Sequence, residues 1–167
     1  IYLRRIGGAS QLSIGVPIFN RSNVAEKNTT GMFVSTLPFI ADLDENLTPE
    51  ELTHSMIDEW YDLLRHQNFP YAKITELAVQ KELPSLFHIV LSYQNSRIQS
   101  SVDASVLFEG RWTYSGYQNE HLVIHLSSLS YEHCYSIDYD YLTQLFSDDE
   151  IDSLHSYLVR ILRAALF

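Results

Sequence analysis

Ile14-Gly15-Val16-Pro17-Ile18-Phe19-Asn20-Arg21, followed ten residues later by Gly31-Met32-Phe33-Val34-Ser35-Thr36-Leu37-Pro38, decides the fold of this chain. Residues Ser10 to Phe19 alternate loosely and have the period of a strand. Gly31 to Ala41 is rich in β-branched and aromatic side chains and reads as a second strand. Between them Asn20 to Thr30 is polar, with Arg21, Glu26 and Lys27, and reads as a loop. The two runs can pair, but the loop is long for a tight hairpin, and loops of this length in compact domains are often functional.

Downstream, Thr48-Pro49-Glu50-Glu51 is a helix start: a capping threonine, a proline at the first helical position, and a glutamate that completes a capping box. Leu52, Met56, Trp60, Leu63 and Leu64 then share one helical face. Pro70 interrupts the pattern, and a second, shorter helix is expected from Tyr71 to about Gln80. Leu86 to Tyr93 reads as a buried strand with Phe87, Ile89, Leu91 and Tyr93 on one face. His121–Ser127 and His133–Tyr141 read as an antiparallel hairpin, with Leu122, Ile124 and Leu126 inward on the first strand and Tyr135, Ile137 and Tyr139 inward on the second. Ser147-Asp148-Asp149-Glu150 is another capping box, and Ile151, Leu154, Leu158, Ile161, Leu162 and Ala165 repeat at helical spacing behind it. The result is an α/β class: a mixed sheet flanked by helices.

Composition narrows the function. The 167 residues suffice for one domain with a real core, and 46% hydrophobic with 19% charged residues excludes a disordered chain. The longest apolar stretch, Met32 to Ala41, is broken by Ser35, Thr36 and Pro38 and falls short of the roughly 20 residues of a membrane span. A net charge of −10, with 11 Lys and Arg scattered along the chain, opposes binding to phosphate backbones, so no nucleic-acid partner is expected. Cys134 is the single cysteine, which excludes an internal disulfide and fits a reducing, cytoplasmic compartment.

Candidate chemistry is sparse. His121 and His125 share one face of a strand and at about 3.3 Å per residue stand roughly 13 Å apart, too far to share one metal, so no metal site is expected. There is no Gly-x-Ser-x-Gly elbow and no Gly-rich phosphate loop. Arg21, just past a strand end, reads from sequence alone as a solvated surface arginine. Asn95 to Glu120 weakens in pattern: Phe108, Trp112, Tyr114 and Tyr117 lie among Gly110, Gly116 and polar residues. That stretch reads from the residues alone as a wandering surface loop with a strand near Val102 to Phe108.

The two opening motifs, with His66-Gln67-Asn68-Phe69-Pro70-Tyr71, resemble the condensation domains of nonribosomal peptide synthetases. Gly15, Pro17 and Arg21 match the family's Gly-x-Pro-x-x-x-Arg. Gly31, Phe33, Val34, Thr36, Leu37 and Pro38 match Gly-x-Phe-Val-Asn-Thr-Leu-Pro, with Ser35 in place of asparagine. His66, Gln67 and Pro70 match His-Gln-x-x-Pro-Phe-Glu, with Tyr71 for phenylalanine and Ala72 for glutamate. Lys81 to Phe87 is a degenerate form of a later motif, and Asp138 to Phe146 resembles the Tyr-Asn-x-x-Leu-Phe that precedes the family's last helix. The motifs run in order from about residue 1 to 167.

The resemblance implies the C-terminal lobe, residues 1–167, of a two-lobed fold of the chloramphenicol-acetyltransferase kind. The family's His-His-x-x-x-Asp-Gly motif lies in the N-terminal lobe, and no His-His pair occurs here. No catalytic residue is therefore expected in this lobe, and the chain alone is expected to be an inactive fragment of an amide-forming acyltransferase. Arg21 is implied as a structural residue that pairs with the motif's aspartate across the lobe interface. Asn20, Gly31, Met32, Phe33, Ser35 and Thr36 are implied tunnel-lining residues, and Phe108, Trp112 and Tyr114 would cross to the other lobe. Implied partners are that lobe, peptidyl carrier domains and an adjacent adenylation domain. The chain would bind no cofactor itself; the phosphopantetheine arms belong to the carriers. With its crossing segment unpartnered, the fragment is expected to self-associate. The rival readings are a non-catalytic docking lobe for carriers or neighbouring domains, and part of a coenzyme-A-dependent acyltransferase of the same fold.

Overall fold

The computed structural model describes residues 10–44, 46–83, 85–94, 112–128 and 135–166. Phe108 and His133 lie outside them. Five strands among these residues form one sheet: β1 (Gln11–Ile18), β2 (Ser35–Asp42), β3 (Ile89–Gln94), β4 (Leu122–Ser127) and β5 (Ser136–Tyr141). Their order is β2-β1-β3-β4-β5. The two outer pairs are antiparallel and the two inner pairs parallel, so the sheet is mixed as expected. Four helices accompany it: α1 (Val24–Lys27), α2 (Pro49–Arg65), α3 (Tyr71–Gln80) and α4 (Asp148–Leu166).

The two opening motifs do pair. β1 and β2 run antiparallel in unbroken register from Gln11 opposite Asp42 to Ile18 opposite Ser35. Pro38 is tolerated in β2 because β2 is an edge strand, where a missing N–H breaks no inner ladder. β2 begins at Ser35 rather than at Gly31, because the Gly31 carbonyl is taken by Arg21 and the chain stays in the loop until Val34.

Gly15 leaves no room for a side chain. A Cβ on it would lie 2.5 Å from the Phe87 ring and 2.9 Å from Val90. Phe87 precedes β3 and lies over Gly15, while Ser13 Oγ donates to the Leu86 carbonyl at 2.5 Å, so the expected strand from Leu86 starts only at Ile89. Gly15→Ala is expected to lower unfolding stability by about 1–3 kcal/mol through overpacking. A denaturation midpoint equal to wild type would show that Phe87 moves aside freely.

The helices start where their capping boxes predict. Thr48 and Glu51 exchange bonds ahead of α2, and Ser147 and Glu150 do the same ahead of α4. α2 places Trp60 against Phe39 of β2, ring centroids 6.1 Å apart. α4 covers the other end of the sheet: Ile151 and Leu154 bury against Leu122, flanked by Ile89, Ile124, Tyr139, Tyr141, Phe146 and Leu158. The α4 stripe does not stay buried to its end, and Leu162 is 49% exposed.

Three burial expectations change. Leu91 and Tyr93 of β3 are exposed, at 39% and 55%, while Val90 and Ser92 on the opposite face are buried. Leu91 and Tyr93 fall between the helices beside β2 and the helix beside β4, so neither group covers them. On β4 both faces are covered: Leu122 is buried on one, His125 and Ser127 on the other. Tyr135 precedes β5 and is exposed, whereas Tyr139 and Tyr141 pack toward α4. Among the described residues no helix is long and apolar enough to cross a membrane.

Candidate functional site

The loop from Phe19 to Val34 gathers most of the expected site residues at one end of the β1–β2 pair. It is more ordered than its polar composition suggests. Asn23 accepts from Glu26 N, and the Glu26 side chain reaches back, so a capping box opens the one-turn helix α1. The Asn23…Glu26 spacing is visible in the sequence, but four residues of helix give too short a run for periodicity to show. The Glu26 carboxylate accepts from Ser22 N at 2.6 Å and from Ser22 Oγ at 2.9 Å. The Ser22 backbone bond, aided by its hydroxyl, holds the Glu26 carboxyl below the usual carboxylate range.

Arg21 is the organiser of the loop, not a free surface charge. Nη1 donates to the carbonyls of Glu26 and Thr29, and Nη2 donates to the Gly31 carbonyl at 2.9 Å. The guanidinium carbon lies 4.0 Å from the centre of the Phe33 ring and 5.4 Å from that of Phe19. An arginine suits this task because its planar fork reaches several carbonyls at once while its face stacks on an aromatic ring. Asn20, just before it, adopts φ +51°, a left-handed turn that asparagine tolerates better than most residues. The chain thereby turns out of β1 and delivers Arg21 into the loop.

Asn20, Gly31, Met32 and Phe33 lie in this clamped loop, and Ser35 and Thr36 continue it into β2 opposite Ile18 and Pro17. Met32 is 96% exposed, and Phe19, Val24 and Val34 are exposed beside it in the chain. The site is thus a rigid turn with an arginine in its frame and apolar side chains on its outside. Such an arrangement offers a preformed wall; its one hydroxyl–carboxylate pair, Ser22 with Glu26, is engaged in the cap of α1. Of the expected crossing residues, Tyr114 is exposed and Trp112 lies on this chain's own sheet, stacked on His125. His121 pairs with His88, their rings stacked at 4.2 Å, a contact set by the parallel β3–β4 register that sequence reasoning did not find.

The condensation-domain family model matches residues 1–166. The chain belongs to the condensation-domain family. It is 33% identical over 167 residues to surfactin synthase subunit 1 of Bacillus subtilis (strain 168), spanning 99% of this chain and 5% of that protein. It is 32% identical over 168 residues to one of the plipastatin synthase subunits of the same organism, covering 99% of this chain and 6% of that protein. Among solved structures, the starter condensation domain of rhizomide synthetase superposes with a TM-score of 0.67 at 19% identity, over 98% of this chain and 38% of that one. The condensation domain of Monacolin K polyketide synthase gives 0.71 at 20% identity, over 98% and 39%. The fold is therefore of the chloramphenicol-acetyltransferase-like kind, and the chain spans under half of the solved domains it matches.

Proposed function

We propose that this chain is the C-terminal lobe of a condensation domain that joins a carrier-bound donor acyl group to a carrier-bound acceptor aminoacyl group in nonribosomal peptide synthesis. The observation that carries the reading is the Arg21-clamped loop, in which both family motifs meet in register on β1 and β2. In this reading the upstream lobe brings the His-His-x-x-x-Asp-Gly motif, and the two lobes enclose a tunnel. Carrier domains deliver both substrates on phosphopantetheine arms, and an adenylation domain loads them, in the cytoplasm. The acceptor amine attacks the donor thioester: a C–N bond forms, the C–S bond breaks, and the donor arm leaves as its thiol. Much of the acceleration comes from holding two tethered reactants together, which can be worth roughly 7–11 kcal/mol.

This chain contributes the wall formed by Asn20, Gly31, Met32, Phe33, Ser35 and Thr36. Arg21 faces the motif's aspartate. Three of its five N–H groups are engaged by the Glu26, Thr29 and Gly31 carbonyls, which leaves Nε–H and one Nη2 N–H for that contact. A side-on grip by Nε and Nη2 is the two-pronged contact that remains, and the loop bonds hold the guanidinium ready for it.

The test compares amide formation between loaded carriers by the intact synthetase and by this chain alone. The intact protein is expected to form the amide, and the chain alone to give nothing above a buffer control. Amide formation by the chain alone would overturn the lobe assignment; failure of the intact protein with every loaded carrier pair would overturn the condensation reading.

A further inference from the structure

The face of the sheet opposite Leu122 carries a polar cluster away from the Arg21 loop. Its hub is Asp140 on β5. Asp140 Oδ2 accepts from Trp112 Nε1–H at 3.0 Å and meets His125 Nε2 at 3.1 Å. The Asp140 carbonyl accepts from Gln118 Nε2 at 2.9 Å, and the same amide nitrogen donates to the Glu120 carbonyl at 2.7 Å. The His125 side chain is 9% exposed, and the Trp112 indole stacks on its ring, centroids 3.8 Å apart.

We propose that His125 and Asp140 are positioning residues: a latch that seats the run from Trp112 to Glu120 on the sheet. A buried imidazole beside a carboxylate is a poor choice for stability alone, since apolar side chains of similar volume often stabilise as much or more. What the polar pair adds is direction. Stacking by itself lets an indole slide and rotate over the imidazole. The indole N–H to Asp140 fixes that rotation. The His125 Nδ1 atom has no hydrogen-bond partner, so the ring is held by Asp140 and the indole together, and each group depends on the other two.

The latch also has two feet. Trp112 and Gln118 both bond to one residue, through its side chain and its backbone carbonyl. The stretch between them bows outward, with Tyr114 and Tyr117 exposed and Gly116 at φ +86° making the turn. A run tied at one foot can swing; a run tied at both feet to one strand residue cannot. The link to catalysis rests on the condensation reading above, but the latch itself stands on this geometry.

The test uses the full-length synthetase with Asp140→Asn and, separately, Trp112→Phe, which keeps an aromatic ring and removes the N–H. Amide hydrogen exchange across residues 112–120 is expected to rise about tenfold or more in both variants, with β4 and α4 changing much less. Amide formation is expected to lose kcat while KM for the loaded carriers stays near wild type, because no latch residue is placed on the substrates. Wild-type exchange across 112–120 in both variants, or equal acceleration across the whole lobe, would overturn the latch. Faster local exchange with unchanged kcat would overturn the positioning role. If the wild-type protein forms no amide at all, the condensation reading fails, and the exchange measurement still decides the latch.

Discussion

Arg21→Ala in the intact synthetase is expected to slow amide formation by about 10²-fold, the loss that a misplacement of about 1 Å can cause in a positioned reaction. The substitution acts twice. It leaves the carbonyls of Glu26, Thr29 and Gly31 without the donor that holds the loop together, so the wall loses its shape. It also strands the aspartate proposed to face it, and leaving one buried charge of a pair unmatched costs roughly 3–5 kcal/mol. Arg21→Lys is expected to recover only part of the rate, because one ammonium group can reach neither three carbonyls nor both oxygens of a carboxylate. Phe33→Leu separates the two roles: it removes the stack under the guanidinium, worth about 0.5–1 kcal/mol, and is expected to cost only a few-fold. An Arg21→Ala variant with wild-type turnover and melting temperature would reduce Arg21 to a surface residue.

What sequence can reveal follows the range of the interactions involved. The starts of α2 and α4 are legible because a capping box is written within four residues: Thr48 with Glu51, and Ser147 with Glu150. The pairing of β1 with β2 stays open in the sequence, because the loop between them is long for a tight hairpin, and only the structure supplies it. The loop's clamp is not legible. Arg21 bonds to residues five, eight and ten positions away, and no helical or strand period marks such a set. β3 misleads for a related reason. Its alternation is real, yet Leu91 and Tyr93 face a gap between helices whose positions are set by the whole sheet. For His125 the sequence offers only His121, on the same strand, as a neighbour to consider. Its actual partners are an aspartate fifteen residues downstream, set diagonally opposite it by the β4–β5 register, and a tryptophan thirteen residues upstream, outside any strand.

The largest loss of stability is expected at Leu122. Leu122 is 2% exposed and sits where α4 meets the sheet, in contact with the layer formed by Ile151 and Leu154. Leu122→Ala removes a buried isobutyl group from between two elements that are both anchored elsewhere: β4 by its ladders to β3 and β5, and α4 by the Tyr139 hydroxyl to His155 at 3.0 Å and the Tyr141 hydroxyl to Asp148 at 2.7 Å. Neither element can close fully onto the cavity, so the cost is expected in the range of about 2–5 kcal/mol. Against a total stability of roughly 5–15 kcal/mol, that is a large fraction. The control is Leu162→Ala, on the same helix but 49% exposed, which is expected to change stability by no more than about 0.5 kcal/mol. Urea unfolding of both variants gives the comparison, with an unchanged slope showing that only stability moved. Equal midpoints for the two variants would mean that α4 does not dock on β4 through Leu122, and the core would have to be placed elsewhere. A large separation would identify the α4 face as the part of the fold that holds β4, and with it His125, in place.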